Sequence, residues 1–534
     1  MGERFIWWKH GVFYQIYPRS FMDSNGDGVG DLQGIIQRID YLADLGVDAL
    51  WISPIYPSPM ADFGYDVSDY MDIHPLFGDM ATFDRLLTSA HEHGLHVVLD
   101  FVPNHTSDEH PWFVESRASR QSARRSWYIW RDAKPDGSPP NNWESFFGGS
   151  AWQWDEATSQ YYLHLFLEKQ PDLNWRNPQV VKAMHKVLRF WLDKGVDGFR
   201  MDVVTFLIKH ASFPDNPILP NPANPDRTIQ EHRYDINQPE IHAHLRQFRH
   251  IFDSYPGDRV TIGETWFMNP KELVSYYGKS LDELHLPFNF ITLRQPWQAQ
   301  AIRQAIHSYY AALPPGAAPN FVFGNHDVHR LATRYGVENH RSVALLLLTL
   351  RGAPTIYYGD ELGMQDIQVP ADRLQDPVAR RKPGTDEGRD PERAPMIWDS
   401  SPNAGFTPAG VQPWLPLPEN YPKINVLSQR ADPTSTLNFY KRLLRLRREL
   451  PVLQRGDFDF VDQVPDHVLA YTRRMVGQHL LVVINFSGAT IKLDLSSLEE
   501  RAEVLLSTQD LEVGTIELAD LTLQPYEGLM LKLL

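Results

Sequence analysis

The chain has no cysteine. Disulfide scaffolds, zinc–thiolate centres and cysteine nucleophiles are thereby excluded. No apolar run approaches the roughly 20 residues that cross a bilayer; the longest candidate, 343–350, is far too short. The opening, MGERFIWWKHGVFYQIYPRSF, lacks the continuous apolar core of a signal peptide. Positive charge is also short, with 51 Lys and Arg against 67 Asp and Glu, a net charge of −16 and a pI near 5.7. That balance argues against nucleic acid or an anionic membrane as partner and suits a neutral or cationic ligand, although much of the charge serves solubility. There is no low-complexity tract and no short repeat. These absences predict a cytoplasmic protein with no nucleic-acid or membrane partner, and they favour neither a monomer nor a homo-oligomer.

What is present is core material. A chain of 534 residues, 42% hydrophobic and 12% aromatic, can build more than one domain. Short, nearly all-apolar runs begin near residues 12, 47, 95, 196, 259, 284, 319 and 353, and helix-like stretches separate most of them, including 31–46, 81–94, 180–195, 239–254, 297–313, 338–351 and 435–450. Apolar strands in βα repeats predict a parallel sheet covered on both faces, and eight units predict a (β/α)₈ TIM barrel. The rhythm breaks from Asn104 to Trp175, a stretch rich in Trp, Phe, Ser, Pro and Asn, read as a small domain inserted after strand three. After Leu450 the runs HVLAYTRRM, HLLVVINF, ATIKLDL, AEVLLST and GLMLKLL predict a C-terminal antiparallel β-sandwich domain. The expected division is barrel 1–103, insert 104–175, barrel 176–452 and β-sandwich 453–534.

Three carboxylates end strand-like runs in the segments GFRMDVV, TIGETW and FVFGNHDVHR: Asp202, Glu264 and Asp327. Active sites of such barrels lie at the C-terminal ends of the strands, so the three would meet at one rim, after strands four, five and seven. Asp100 and His105 lie beyond strand three, and His326 precedes Asp327. Arg200 and Asp202 share a strand face, and a neighbouring arginine is expected to hold Asp202 ionised as a nucleophile requires. A second carboxyl, kept protonated by its surroundings, can act as general acid. These are the parts of retaining glycoside hydrolysis, whose carboxyl groups lie about 5–5.5 Å apart.

DFVPNHTS (100–107), GFRMDVV (198–204), GETW (263–266) and FGNHD (323–327) resemble the four signature regions of the α-amylase superfamily, and QPDLNW (170–175) resembles its fifth. Within glycoside hydrolase family 13 the chain is similar to the oligo-1,6-glucosidase and α-glucosidase group, over its whole length. The resemblance implies that Asp202 is the nucleophile, Glu264 the general acid and base, and Asp327 the stabiliser of the transition state, assisted by His105 and His326. It implies that Asp62 and Tyr65 in ADFGYDVSDY grip a terminal glucose. It also implies that Arg393, in GRDPERAPMIWD with Arg389, pairs with Asp62 and closes the far end. Phe147, Phe166 and Gln170 in the insert are expected pocket walls.

The loop DSNGDGVGD sets Asp23, Asn25, Asp27 and Asp31 at alternating positions among glycines, and hard oxygen ligands on a tight turn suit Ca²⁺ or Mg²⁺. Position twelve is Gly34, so this is no EF-hand; similar loops in the group bind a structural calcium, with the Val29 carbonyl among the ligands. Val203, directly after the proposed nucleophile, resembles the residue found there in enzymes that prefer α-1,6 bonds, and a stiff β-branched side chain would obstruct a 4-linked leaving sugar. The expectation is a retaining, exo-acting α-glucosidase that takes a small oligosaccharide, accepts α-1,6 bonds without exclusivity, and uses no organic cofactor. Alternatives are preference for α-1,4, sucrose or trehalose bonds, and transglucosylation on the same machinery. A non-catalytic binding relative is disfavoured because all three carboxylates are kept.

Overall fold

A computed structural model describes residues 4–221, 224–381, 388–509 and 514–534. Eight parallel strands surround one interior: β1 (Phe13–Ile16), β2 (Ala49–Ile52), β3 (His96–Phe101), β4 (Gly198–Met201), β5 (Val260–Gly263), β6 (Leu286–Pro287), β7 (Asn320–Val322) and β8 (Ala353–Tyr357). Hydrogen-bonded neighbours run β6-β5-β4-β3-β2-β1-β8-β7. The seam between β6 and β7 is bridged by one side chain: Asn320 Nδ2 donates to the Pro287 carbonyl at 2.6 Å, and its Oδ1 accepts from Asn289 N–H at 3.0 Å. The expected (β/α)₈ barrel is therefore the observed one.

Side chains alternate across each strand. Trp51, Val98, Val260 and Ile262 fill the barrel interior with Phe13, Phe288 and Val322, whereas Leu50, Ile52, Val97 and Leu99 pack outward under the helices. The helices start where the chain supplies caps. Asp79 accepts from Thr82 N–H ahead of Met80–Glu92, and Asn177 accepts from Gln179 N–H ahead of Pro178–Lys194, which stops at left-handed Gly195. The helix expected over 31–46 is interrupted. Arg38 leaves helical geometry (φ −112°, ψ 11°) and splits it into Leu32–Gln37 and Ile39–Leu45, while the Arg38 guanidinium lies 4.3 Å from the centre of the Trp398 ring.

The insert carries a three-stranded antiparallel sheet, Trp130–Arg131, Gln160–Leu163 and Trp152–Asp155. Its two ends pair where they leave the barrel, through bridges His105–Asp172 and Tyr128–Leu173. Beneath them the buried Lys209 ammonium lies 2.5 Å from Asp172 and donates to Asn104 at 2.8 Å. The C-terminal segment forms a six-stranded antiparallel sheet facing a two-stranded one (Ile491–Leu493 with Leu521–Leu523), with Leu481, Val483, Leu493, Val504 and Leu531 in the shared core. An antiparallel pair over Ile218–Asn221 and Asn224–Gln230 was not expected. Gln230 ties it to the insert by accepting from Glu144 N–H and donating to the Asn142 carbonyl. Among the described residues no helix is long and apolar enough to cross a membrane.

Candidate active site

The strand ladders run one residue past their ends and deliver the carboxylates. Asp202 N–H donates to the Phe101 carbonyl of β3 at 2.8 Å, and Glu264 N–H donates to the Met201 carbonyl of β4 at 2.9 Å. Asp327 follows β7 after a short turn, its N–H held by Asn325 Oδ1 at 2.9 Å. All three line one cavity of about 420 Å³ together with Asp62, Tyr65, His105, Phe147, Phe166, Val203, His326 and Arg389. Eleven of the residues singled out from sequence are thus brought to one place.

Arg200 lies behind the cavity and is fully buried. Parallel register sets it beside Asp100. Its guanidinium lies 2.6 Å from Asp100, 2.7 Å from Asp202 and 2.6 Å from Glu264. Burial pushes the Asp202 carboxyl well above the usual carboxylate range; Arg200 opposes this, while Glu264 and Asp100 add to it. Burial also raises Glu264, again against Arg200 and with Asp327 adding to the rise. One cation facing three buried carboxylates leaves a proton on the Asp202–Glu264 pair, which titrates as a unit. This corrects the expectation that Arg200 keeps Asp202 ionised, because its charge is divided three ways. Asp202 and Glu264 are held on one guanidinium, at 2.7 Å and 2.6 Å from Arg200. Val203, between them, adopts left-handed backbone (φ 35°, ψ 46°) and gives its N–H to Glu264 Oε2 at 2.9 Å.

Asp327 is different. Burial raises its carboxyl, but His326, Arg389, Arg393 and Arg200 together outweigh burial and hold it well below the ordinary range. The His326 ring stacks on Tyr65 at 5.4 Å and 3°, with Nε2 2.8 Å from the Tyr65 hydroxyl and Nδ1 2.7 Å from Gln15. Burial lowers His326 to about 3 and His105 to about 4, so both rings are neutral hydrogen-bonding groups.

The closed end departs from expectation. Asp62 pairs with Arg389, at 2.7 Å, not with Arg393. Arg389 also reaches Asp376 at 2.7 Å and Asp327 at 3.3 Å. Arg393, 1% exposed, sits deeper; it donates to the His326 carbonyl at 2.8 Å and to Asp327 at 3.0 Å. The 3₁₀ turn Pro391–Arg393 follows Arg389 and sets Arg393 deeper, so Arg389 takes Asp62. Gln170 is likewise no wall. It is buried behind the surface and donates to Asp62 Oδ2 at 3.1 Å, with His105 Nε2 also at 3.1 Å. Phe147 and Phe166 do face the cavity, with the Arg389 guanidinium 5.2 Å from the Phe147 ring centre.

The mouth holds residues that sequence reasoning missed: Phe146, Phe206, His232, Ile236, Trp266 and Arg294. Phe206 and Trp266 sit beside the catalytic motifs and were open to notice. His232, Ile236 and Arg294 come from long connections with no local signal.

In the loop after β1, Asp23 accepts from the N–H groups of Asn25, Gly26 and Gly28, and Asp31 accepts from Ser24 and Gly34. Asn25 and Asp27 are exposed and Val29 half-buried. The donor set is all oxygen, which fits the chemistry of a hard cation, although Asp23 and Asp31 already serve the loop's own backbone.

The Alpha amylase, catalytic domain family matches residues 15–456, and the Maltogenic Amylase, C-terminal domain family matches residues 458–529. An oligo-1,6-glucosidase from Parageobacillus thermoglucosidasius is 40% identical over 566 residues, 99% of each chain. A probable alpha-glucosidase from Rhizobium meliloti is 43% identical over 511 residues, 92% of each. The crystal structure of an alpha-glucosyl transfer enzyme superposes with a TM-score of 0.92 at 41% identity, covering 99% of this chain and 100% of the other. With the barrel, the insert and the three carboxylates at one rim, these matches settle the family: the chain belongs to the α-amylase family of glycoside hydrolases, in its oligo-1,6-glucosidase and α-glucosidase group.

Proposed function

We propose that the protein is a retaining, exo-acting α-glucosidase that releases α-glucose from the non-reducing end of short α-glucosides, α-1,6-linked ones among them. The carrying observation is that Asp202 and Glu264, both held on the Arg200 guanidinium, line a cavity that also contains the Asp62–Arg389 ion pair, read as its closed inner end. A terminal glucose fits such a blind end, whereas the middle of a polymer does not.

In the first step Glu264 gives its proton to the glycosidic oxygen as Asp202 attacks C1. The C1–O bond to the leaving sugar breaks and a β-glucosyl ester on Asp202 forms. Glu264, now ionised, takes a proton from water; the water oxygen attacks C1 and Asp202 leaves, so two inversions give α-glucose. Positive charge on the sugar favours the anionic form of Asp202, and the proton of the pair then resides on Glu264. Asp327, ionised at neutral pH, accepts hydrogen bonds from sugar hydroxyls. Asp62 holds the far hydroxyls and Tyr65 lies against the ring. NMR of p-nitrophenyl α-glucoside hydrolysis should show α-glucose first; initial β-glucose would overturn the mechanism.

A second reading is transglucosylation, in which a sugar replaces water in step two. It is supported by the apolar mouth of Phe146, Phe206, Ile236 and Trp266, which suits a second sugar ring. Rising yields of transfer products at high isomaltose would favour it.

The oxygens of Asp23, Asn25, Asp27, Val29 and Asp31 would hold one structural Ca²⁺, or Mg²⁺ in its place, which would brace the loop after β1. Added calcium should raise the melting temperature of chelator-treated protein, and Asp27→Ala should remove that rise. The protein would work in the cytoplasm; an extracellular location in fractionated cells would exclude this.

A further inference from the structure

Beyond Asp327 the chain turns through Val328 to His329, where a second set of polar groups converges. His329 Nδ1 lies 2.7 Å from Asp366 Oδ2 and 3.7 Å from Glu392 Oε2, and the three atoms lie within 4.8 Å of one another. They come from three separate segments: the loop after β7, the loop after β8 and the turn Pro391–Arg393. His329 and Glu392 border a groove of about 660 Å³ that abuts the sugar cavity at Asp327, Arg389 and Arg294.

The groups are held as ligands would be. Asp366 Oδ1 accepts from Arg330 N–H at 2.8 Å, which turns Oδ2 to the cluster, and such outer contacts orient ligands at metal sites. Glu392 is 1% exposed, and its Oε2 accepts no hydrogen bond among the described residues. A buried carboxylate oxygen without a partner needs an explanation. The His329–Asp366 contact accounts for two of the groups and leaves the third aimed at the same point.

We propose that His329, Asp366 and Glu392 form a site for one divalent transition-metal cation of the Zn²⁺ class, its open side facing the groove. One imidazole and two carboxylates are a mixed nitrogen–oxygen set that suits Zn²⁺ better than Ca²⁺. Bound cation would join the segment that carries Asp327 to the turn that ends in Arg393, whose Nη2 lies 3.0 Å from Asp327. The role is bracing, apart from the loop at Asp23–Asp31.

The test is isothermal titration of Zn²⁺ into chelator-stripped, Ca²⁺-saturated full-length protein, with Co²⁺ absorption as the spectroscopic readout. One Zn²⁺ per chain, visible Co²⁺ bands and a raised melting temperature are expected. Glu392→Gln and Asp366→Asn should each weaken binding by at least about tenfold, whereas exposed His250→Gln should leave it unchanged. Melting curves without metal show that each variant folds. Absence of micromolar binding to the wild-type protein, or binding that both variants retain, overturns the proposal.

Discussion

At the inner end of the sugar cavity charges hold one another in place: Asp62, Asp327 and Asp376 surround Arg389, with Arg393 behind. At the mouth, Phe146, Phe206, Ile236 and Trp266 come from loops and the insert, and Phe146 is 40% exposed. The inner end is rigid because moving any member leaves a buried charge unpaired. The mouth is held by apolar packing, which tolerates changes of shape. On the proposed function, chemistry and the first sugar are assigned to the inner end and choice of linkage to the mouth.

Substitutions can test that division, beginning with the largest effect. Asp202→Asn should lower hydrolysis of isomaltose by more than about 10⁴-fold, beyond the range of a general acid alone; residual activity of a few per cent would remove Asp202 from its role. Glu264→Gln should cost about 10²–10⁴-fold on isomaltose and much less on p-nitrophenyl α-glucoside, whose leaving group needs little protonation. The pH profile should change with it. Wild-type activity needs one proton on the pair, so it falls when a second proton neutralises Asp202 at low pH and when the last proton leaves at high pH. Because burial raises both carboxyls, the alkaline limb lies above the ordinary carboxylate range, and Glu264→Gln should abolish that limb.

Arg389→Met strands Asp62 and Asp376, and about 3–5 kcal/mol of stability should go with it, measured by denaturant unfolding. Buried His326 and His105 make the inner end sensitive to acid. Their folded values, about 3 and about 4, lie below the unfolded value of about 6.5. Their contribution is therefore complete above pH 6.5 and is lost as pH falls through 4 toward 3; a flat melting temperature between pH 7 and 4 would contradict this. Changes at the mouth should be smallest. Val203→Ala should shift the isomaltose-to-maltose ratio of kcat/KM by about 10–200-fold at most, and Phe146→Ala by less, with little change in melting temperature.

Much of this was legible in the residues. The apolar runs and their spacing gave the eight strands, because a strand buried on both faces can hardly be written otherwise. The three carboxylates followed from their place at strand ends. Arg389 and Arg393 could not be told apart, since they lie four residues apart and only the depth of the Pro391–Arg393 turn decides which meets Asp62. Gln170 looked like a wall because its motif adjoins the cavity, yet its amide faces Asp62 from behind. The balance between Arg200 and burial was also hidden: a sequence shows that a cation is near, but not how many anions share it. His232, Ile236 and Arg294 were invisible because long connections carry them in.

Val203 ties the two ends together. A β-branched residue at φ 35° is strained by roughly 1–3 kcal/mol, its N–H anchors Glu264, and its side chain joins the insert's core beside Phe206 and Trp152. On the proposed function, retuning bond preference at Val203 would mean editing the peptide that holds Glu264. Glycine would release the twist and loosen the donor, whereas alanine or threonine keeps a side chain that the same twist must accommodate. Ancestors and descendants that differ in linkage at this position are therefore expected to differ in turnover as well, so that new diets come bundled with altered pace.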